Sequence, residues 1–161
     1  MSIVAGSSGD GEETSVDPTL RLLLDERDIT RLCYRYGSAL DDRDWALLRS
    51  CFTEDAVTEY EGLGRFEGYV AIERVCQAAV VPLDRSQHLI GNVTVEVDGD
   101  AATAQCYLHA QHVKTGTPGG DLYVIAGRYT DRLVRTPEGW RFSYRLLETW
   151  WTDGNAAVVS V

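Results

Sequence analysis

The sequence predicts an α+β domain in which a curved, mostly antiparallel sheet wraps around three helices of the N-terminal half. Three observations carry that prediction. Helical apolar spacing is confined to the chain before Gln87, whereas the rest consists of long β-branched and aromatic stretches with nothing helical until the end. The links between those stretches are short, namely Asp98-Gly99-Asp100, Thr115 to Asp121, and Thr136-Pro137-Glu138-Gly139. Short links make antiparallel hairpins, because a parallel crossover requires about a dozen or more connecting residues. The element order is therefore α-α-β-α-β-β-β-β.

Residues 1–16 are rich in Gly, Ser and acids without periodicity, and are expected to be a disordered tail. Order is expected from Asp17-Pro18, where the aspartate caps a helix that begins on proline, a position at which a missing N–H costs nothing. Ile29, Leu32, Cys33, Tyr36 and Leu40 follow at three- and four-residue spacings, one apolar stripe on a charged helix. A second short helix is expected from Asp44, with Trp45, Leu48 and Phe52 pointing one way. Asp55 to Tyr60 alternates like a strand. Gly62-Leu63-Gly64-Arg65-Phe66-Glu67-Gly68 reads as a turn-rich connection, since its glycine spacing and the absence of a following β-α-β unit do not fit a phosphate-binding loop. The third helix carries Val70, Ile72, Val75, Cys76 and Ala79. Four strands complete the domain, over Gln87–Val97, Ala101–Lys114, Leu122–Arg135 and Trp140–Trp151, and residues 153–161 are expected to be a C-terminal tail. A long twisted sheet must cover one face, and helices closing a curled sheet leave a cavity.

Composition narrows the function classes. The 161 residues make one domain, long enough to bury roughly two-thirds of the surface of the unfolded chain. A formal charge of −10, from 25 acidic against 15 basic residues, repels nucleic acid. No apolar run approaches the ~20 residues that span a bilayer. The acidic N-terminus lacks the features of a signal peptide, so the expected location is the cytoplasm. Cys33, Cys51, Cys76 and Cys106 are widely spread, with no C-x-x-C pair, and read as buried free thiols rather than as a disulfide framework or zinc site.

Several spaced motifs follow the same order as one known superfamily. They are Arg31 to Trp45, Cys51-Phe52-Thr53-Glu54-Asp55-Ala56, Phe66-Glu67-Gly68, Ser86-Gln87-His88-Leu89-Ile90-Gly91-Asn92, Gly127-Arg128-Tyr129-Thr130-Asp131 and Gly139-Trp140-Arg141-Phe142. Over residues 20–152 the chain resembles the nuclear transport factor 2-like superfamily. Within it, the chain is similar to the SnoaL-like branch that includes scytalone dehydratase, bile-acid 7α-dehydratase and hexachlorocyclohexane dehydrochlorinase. The resemblance implies a cone-shaped α+β barrel over 17–152. It also implies a catalytic tyrosine at Tyr36, an aspartate at Asp41, a central histidine at His88 and a late arginine at Arg145. A second pocket histidine falls on His112 or, less well, on His109. Bile-acid dehydratase carries an acidic residue near that place, so the polar complement of this pocket differs. The superfamily hosts dehydratases, isomerases, cyclases and non-catalytic binders on one scaffold.

The residues themselves support this chemistry unevenly. Imidazole titrates near neutrality and can take and return a proton in one turnover, and a carboxylate behind it fixes its tautomer. His88 stands at a strand start with Ile90, Asn92 and Thr94 on its face, a position compatible with surface or pocket. Tyr36 and Asp41 are separated by roughly 140° on an ideal helix, so helix periodicity does not choose among Asp41, Asp42 and Asp44. Asp44 also suits a cap for the next helix. Ala102, Ala104, Cys106, Leu108, Ala110 and His112 share one strand face, and small side chains there leave room for a ligand, whereas Tyr107 and His109 take the other. Arg145 shares parity with Arg141, Ser143 and Leu147, which reads as a charged outward face. Tyr129 and Asp131 share a face that can line the cavity.

The function expected is a cofactor-independent lyase of dehydratase type acting on a small hydrophobic cyclic substrate, polyketide- or steroid-like. His88 abstracts a proton beside a carbonyl, Asp41 orients it, Tyr36 stabilises the enolate, and His112 or Arg145 assists the leaving group. No metal is expected. An isomerase or aldol-type cyclase on the same site is one alternative, and a non-catalytic ligand-binding or subunit-interaction module is another. Open sheet faces, with Tyr107 and Trp150-Trp151 outside, suggest a homodimer or homotrimer.

Overall fold

The computed structural model describes residues 17–160, and Asp17 opens helix α1 (Pro18–Asp42) by accepting hydrogen bonds from the N–H groups of Thr19 and Leu20 at 2.8 and 3.2 Å. The tail expected over 1–16 lies outside the described residues. The stripe Ile29, Leu32, Cys33, Tyr36 and Leu40 is buried. Arg43 ends α1 in the left-handed region, at φ 54°, and its guanidinium donates to the carbonyls of Asp41, Val80 and Leu83 at 2.6, 3.0 and 3.1 Å. That clamp ties the end of α1 to the far end of the third helix.

Asp44 caps α2 (Trp45–Arg49) through the N–H of Leu47. This helix is shorter than expected. Phe52 does not continue it but begins strand β1 (Phe52–Tyr60), drawn into the sheet where the Phe142 N–H donates to the Cys51 carbonyl at 2.8 Å. The run from Gly62 to Gly68, expected as a connection, contains strand β2 (Gly64–Glu67), which hairpins onto β1 with Thr58 opposite Phe66. Four residues between glycines are too few to display alternation. In α3 (Tyr69–Val80) the inward face is Tyr69, Ile72, Cys76 and Val80, while Val70 is exposed.

β3 (Arg85–Asp98), β4 (Ala101–Val113), β5 (Leu122–Thr136) and β6 (Gly139–Gly154) form successive antiparallel pairs. β1 adds to β6 in parallel, giving one six-stranded mixed sheet in the order β2-β1-β6-β5-β4-β3. The helices pack on its inner face, forming the cone-shaped α+β architecture. Bulges reset which residues face inward. Between the pairs Gly91–Tyr107 and Thr94–Gln105, β3 carries one extra residue, with Asn92 at φ 47°. The inward set is therefore His88 and Ile90, then Val93, Val95 and Val97, and not Asn92 or Thr94. Ser143 is the extra residue between the pairs Leu133–Phe142 and Arg132–Tyr144, so Phe142 and Arg145 face the same way.

The segment expected as a C-terminal tail is docked instead. After β6 ends at Gly154, Ala156–Val159 form a 3-10 turn that buries Val158 against Val80 and Leu83. The Asn155 amide fastens it by donating to the carbonyls of Pro118 and Gly120. The expectation failed because a single buried valine in a short segment leaves no periodicity to read. Among the described residues, no helix is long and apolar enough to cross a membrane.

Candidate active site

The last turn of α1 lies against the start of β3, and the two elements meet around a glycine. A methyl group on Gly37 would approach His88 Cβ at 3.3 Å and both His88 O and Ile90 Cγ1 at 3.4 Å, so this residue sets how closely helix and strand pack. One turn later Asp41 grips His88 twice. Its Oδ2 accepts from the His88 backbone N–H at 2.8 Å, and its Oδ1 accepts from ring Nδ1 at 2.6 Å. An ionised carboxylate only accepts, so Nδ1 carries the proton and Nε2 is left as the basic nitrogen. Burial raises the Asp41 carboxyl, but the His88 ring and backbone donors outweigh burial and hold it below its ordinary range. Asp42 and Asp44 take no part, the latter being the α2 cap. Tyr36 and Asp41 need not share one helix face, because Asp41 holds His88 from behind the cavity rather than from within it.

His88 borders a cavity with an open mouth. The wall is apolar, with Leu40, Leu63, Val80, Leu108, Ile125 and Leu147 among its members. Its polar groups are Tyr36, Tyr60, Tyr129, Cys76, His88 and His112. The hydroxyls of Tyr36 and Tyr60 are 3.1 Å apart, and the Tyr60 hydroxyl lies 3.8 Å from Cys76 Sγ. Burial raises all three phenols, keeping them protonated donors. Burial also pushes His112 down to about 4, with His88 adding to the effect. Its Nδ1 donates to the Tyr123 carbonyl at 3.3 Å, leaving Nε2 as an acceptor, and its ring centre lies 6.0 Å from that of His88. His109 points outward, against Trp151.

Arg145 is the candidate that the structure moves most. It is fully buried but does not border the cavity, so it is not beside a leaving group there. The bulge at Ser143 turns it inward, contrary to its strand parity, where it pairs with the equally buried Asp131. Burial disfavours the guanidinium charge, but the Asp131 carboxylate and the hydrogen bonds to it hold the cation firmly protonated. Tyr60 and Cys76 were missed by sequence reasoning. Tyr60 is the inward end of β1, and the alternation of that strand was the signal available for finding it. Cys76 was recognised as a helix-stripe residue, with no sign that the stripe reaches a cavity.

All four cysteines are buried and unpaired. Cys33, Cys106 and Asp131 each bring one potential ligand atom within 4.8 Å of the others. Both Asp131 oxygens are already engaged by Arg145, whose charge disfavours a metal cation at that place.

Comparison with known proteins bears on the fold and the family. A protein of the terrestric acid biosynthesis cluster of Penicillium crustosum, cluster protein E, is 33% identical over 142 residues, covering 84% of this chain and 90% of its own. An uncharacterized protein of Mycobacterium tuberculosis is also 33% identical, over 123 residues, covering 76% of this chain and 83% of its own. A hexachlorocyclohexane dehydrochlorinase from Novosphingobium barchaimii superposes with a TM-score of 0.75 at 21% identity, covering 89% of this chain and 98% of that one, and so shares the fold. The SnoaL-like domain family matches residues 21–146, and the chain belongs to that family.

Proposed function

We propose that the protein is a cofactor-independent lyase that dehydrates a hydrophobic cyclic ketone carrying a β-hydroxyl, by proton abstraction at His88. The observation that carries this reading is the doubly held imidazole. Asp41 fixes the Nδ1–H tautomer at 2.6 Å, His88 borders an apolar cavity, and the Tyr36–Tyr60 hydroxyl pair borders the same cavity. Nε2 takes the acidic C–H proton beside the carbonyl, and the electron pair moves onto the carbonyl oxygen. A hydroxyl of the tyrosine pair donates to that oxygen as its charge grows. The imidazolium, balanced by Asp41, then returns its proton to the departing hydroxide, releasing water and the conjugated ketone. Neutral His112 offers Nε2 only as an acceptor, which suits it to orient the substrate hydroxyl rather than to protonate it. The dehydrochlorinase that shares the fold supports an elimination of this type.

The test is a panel of β-hydroxy cyclic ketones, following the absorbance of the conjugated product and the uptake of solvent deuterium beside the carbonyl. Wild-type protein should form product, and His88→Ala should lower turnover by at least ~100-fold, the low end of a general base's contribution. Exchange without loss of water would assign the same dyad to an isomerase or cyclase. Turnover surviving in His88→Ala would end the proposal.

A further inference from the structure

Arg145 is a cation placed beside the cavity and kept out of it. Its Nε and Nη2 donate to the two oxygens of Asp131, both at 2.8 Å. Its Nη1 has no hydrogen-bond partner among the described residues. The guanidinium carbon instead lies over three rings, 4.2 Å from the centre of Tyr36, 4.1 Å from Tyr129 and 4.0 Å from Phe142. The bidentate pairing uses one edge of the planar guanidinium and leaves its faces to the rings, whose π clouds replace a third partner. Two of those rings, Tyr36 and Tyr129, border the cavity, and Tyr36 is hydrogen-bonded to Tyr60 there.

The fold alone gives little reason for such a pair. Burying two charges is costly, and replacing a buried ion pair by apolar groups of similar volume is often neutral or stabilising. No Lys, Arg, Asp or Glu side chain among the described residues borders the cavity, so an anionic ligand finds no counter-ion there. A cation over the face of a phenol draws electron density toward itself and strengthens the hydroxyl as a donor.

We propose that Asp131 and Arg145 are positioning residues forming a fixed cationic plate. The plate strengthens the Tyr36 and Tyr129 hydroxyls as donors, so that the cavity admits neutral substrates and stabilises negative charge on a bound oxygen. This rests on the enolate chemistry proposed above and identifies the feature that selects it. Burial is the main influence on the Tyr36 phenol, raising it, and the Arg145 charge acts in the opposite direction, as the plate requires.

The test uses substituted 1-tetralones of graded carbonyl basicity as probes, with tetralin as the control that cannot hydrogen-bond, titrated by calorimetry. In wild-type protein, affinity should rise as the carbonyl oxygen becomes more basic. The Asp131→Asn/Arg145→Met double variant should bind tetralin as before and lose affinity for the most basic tetralone, by up to about tenfold, the bound set by a desolvated cation–π contact. The isosteric Tyr36→Phe should also flatten the dependence, which keeps the test decisive if the double variant fails to fold. An unchanged dependence in either variant, or none in wild-type protein, would overturn the proposal. The base is read by turnover and the plate by equilibrium affinity for ketones that carry no β-hydroxyl, so failure of the base and failure of the plate appear in different measurements.

Discussion

Asp41→Asn tests the dyad with the smallest change of shape. Asp41 accepts two hydrogen bonds from His88, at 2.8 Å from the backbone and 2.6 Å from Nδ1, and an amide can accept only one of them. If its oxygen faces Nδ1, its NH₂ meets the backbone N–H, leaving a buried donor unpaired at a cost of about 1–3 kcal/mol. If its oxygen faces the backbone, its NH₂ faces Nδ1, which must then accept. The proton moves to Nε2 at almost no cost, because the two imidazole tautomers are close in energy. The second arrangement wins, and it places a proton on the nitrogen that should act as base. Activity should therefore fall by ~10²–10⁴-fold, the whole contribution of a general base, while stability changes by no more than about 2 kcal/mol. Deuterium exchange into the methylene beside the carbonyl of 1-tetralone, read by NMR, gives the rate, and ¹⁵N shifts of the imidazole give the tautomer. Exchange within about threefold of wild type, or a histidine still protonated at Nδ1, would refute the argument from tautomer control.

The same cavity sets a pH dependence. His112 is pushed from 6.5 down to about 4, so the unfolded chain binds its proton between those values while the folded chain does not. Stability should be fully present above about pH 6.5 and fall by roughly 3 kcal/mol on acidification to pH 4; denaturant melts of His112→Phe should lack that loss. The depressed Asp41 adds a further loss below its unfolded value near ~3.9. Gly37→Ala gains about 1 kcal/mol of helix propensity but sets a methyl 3.3 Å from His88 Cβ. Stability should therefore hold while exchange activity drops, and equal loss of both would contradict the assignment of Gly37 to the α1–β3 spacing. On the outer sheet face Tyr107, Trp150 and Trp151 are about half exposed, with the Tyr107 and Trp150 rings 5.2 Å apart. We propose that this face joins copies of the chain, and Trp150→Glu should lower the mass seen by sedimentation; a wild-type monomer at high concentration would remove the proposal.

Most of this architecture could be read from the sequence because its signals are periodic. The α1 stripe, the alternation in β4 and the short hairpin links each repeat often enough to outweigh local noise, and parity favoured His112 over His109 without deciding between them. What could not be read are single-residue events. One extra residue at Asn92 exchanges the inward face of β3, and another at Ser143 carries Arg145 from an apparently solvated face to a fully buried position. Parity arguments assume an unbroken count of two, and a bulge breaks it without any distinctive composition: Asn92 tolerates a positive φ, but Ser143 carries no such mark.

The bulge at Ser143 therefore matters to the chemistry as well as to the fold. Were β6 regular beyond Phe142, Arg145 would reach solvent and Asp131 would be buried without a counter-charge, a state that costs several kcal/mol. By extruding Ser143, the bulge keeps the cation under Tyr36 and Tyr129, and the rings keep it from the cavity. A cation open to the cavity would bind anions in the ground state, and would lower the barrier no more than it stabilised that binding. Held behind a phenol, the same charge acts on the oxygen to which the phenol donates, and it acts most strongly as negative charge develops there. Deleting Ser143 should leave this arrangement in place, because Tyr144 then follows Phe142 directly and a regular strand still turns Phe142 and Arg145 inward. The deletion variant should therefore keep the wild-type dependence on carbonyl basicity and the Asp41–His88 hydrogen bonds, and loss of the dependence would refute this account of the register.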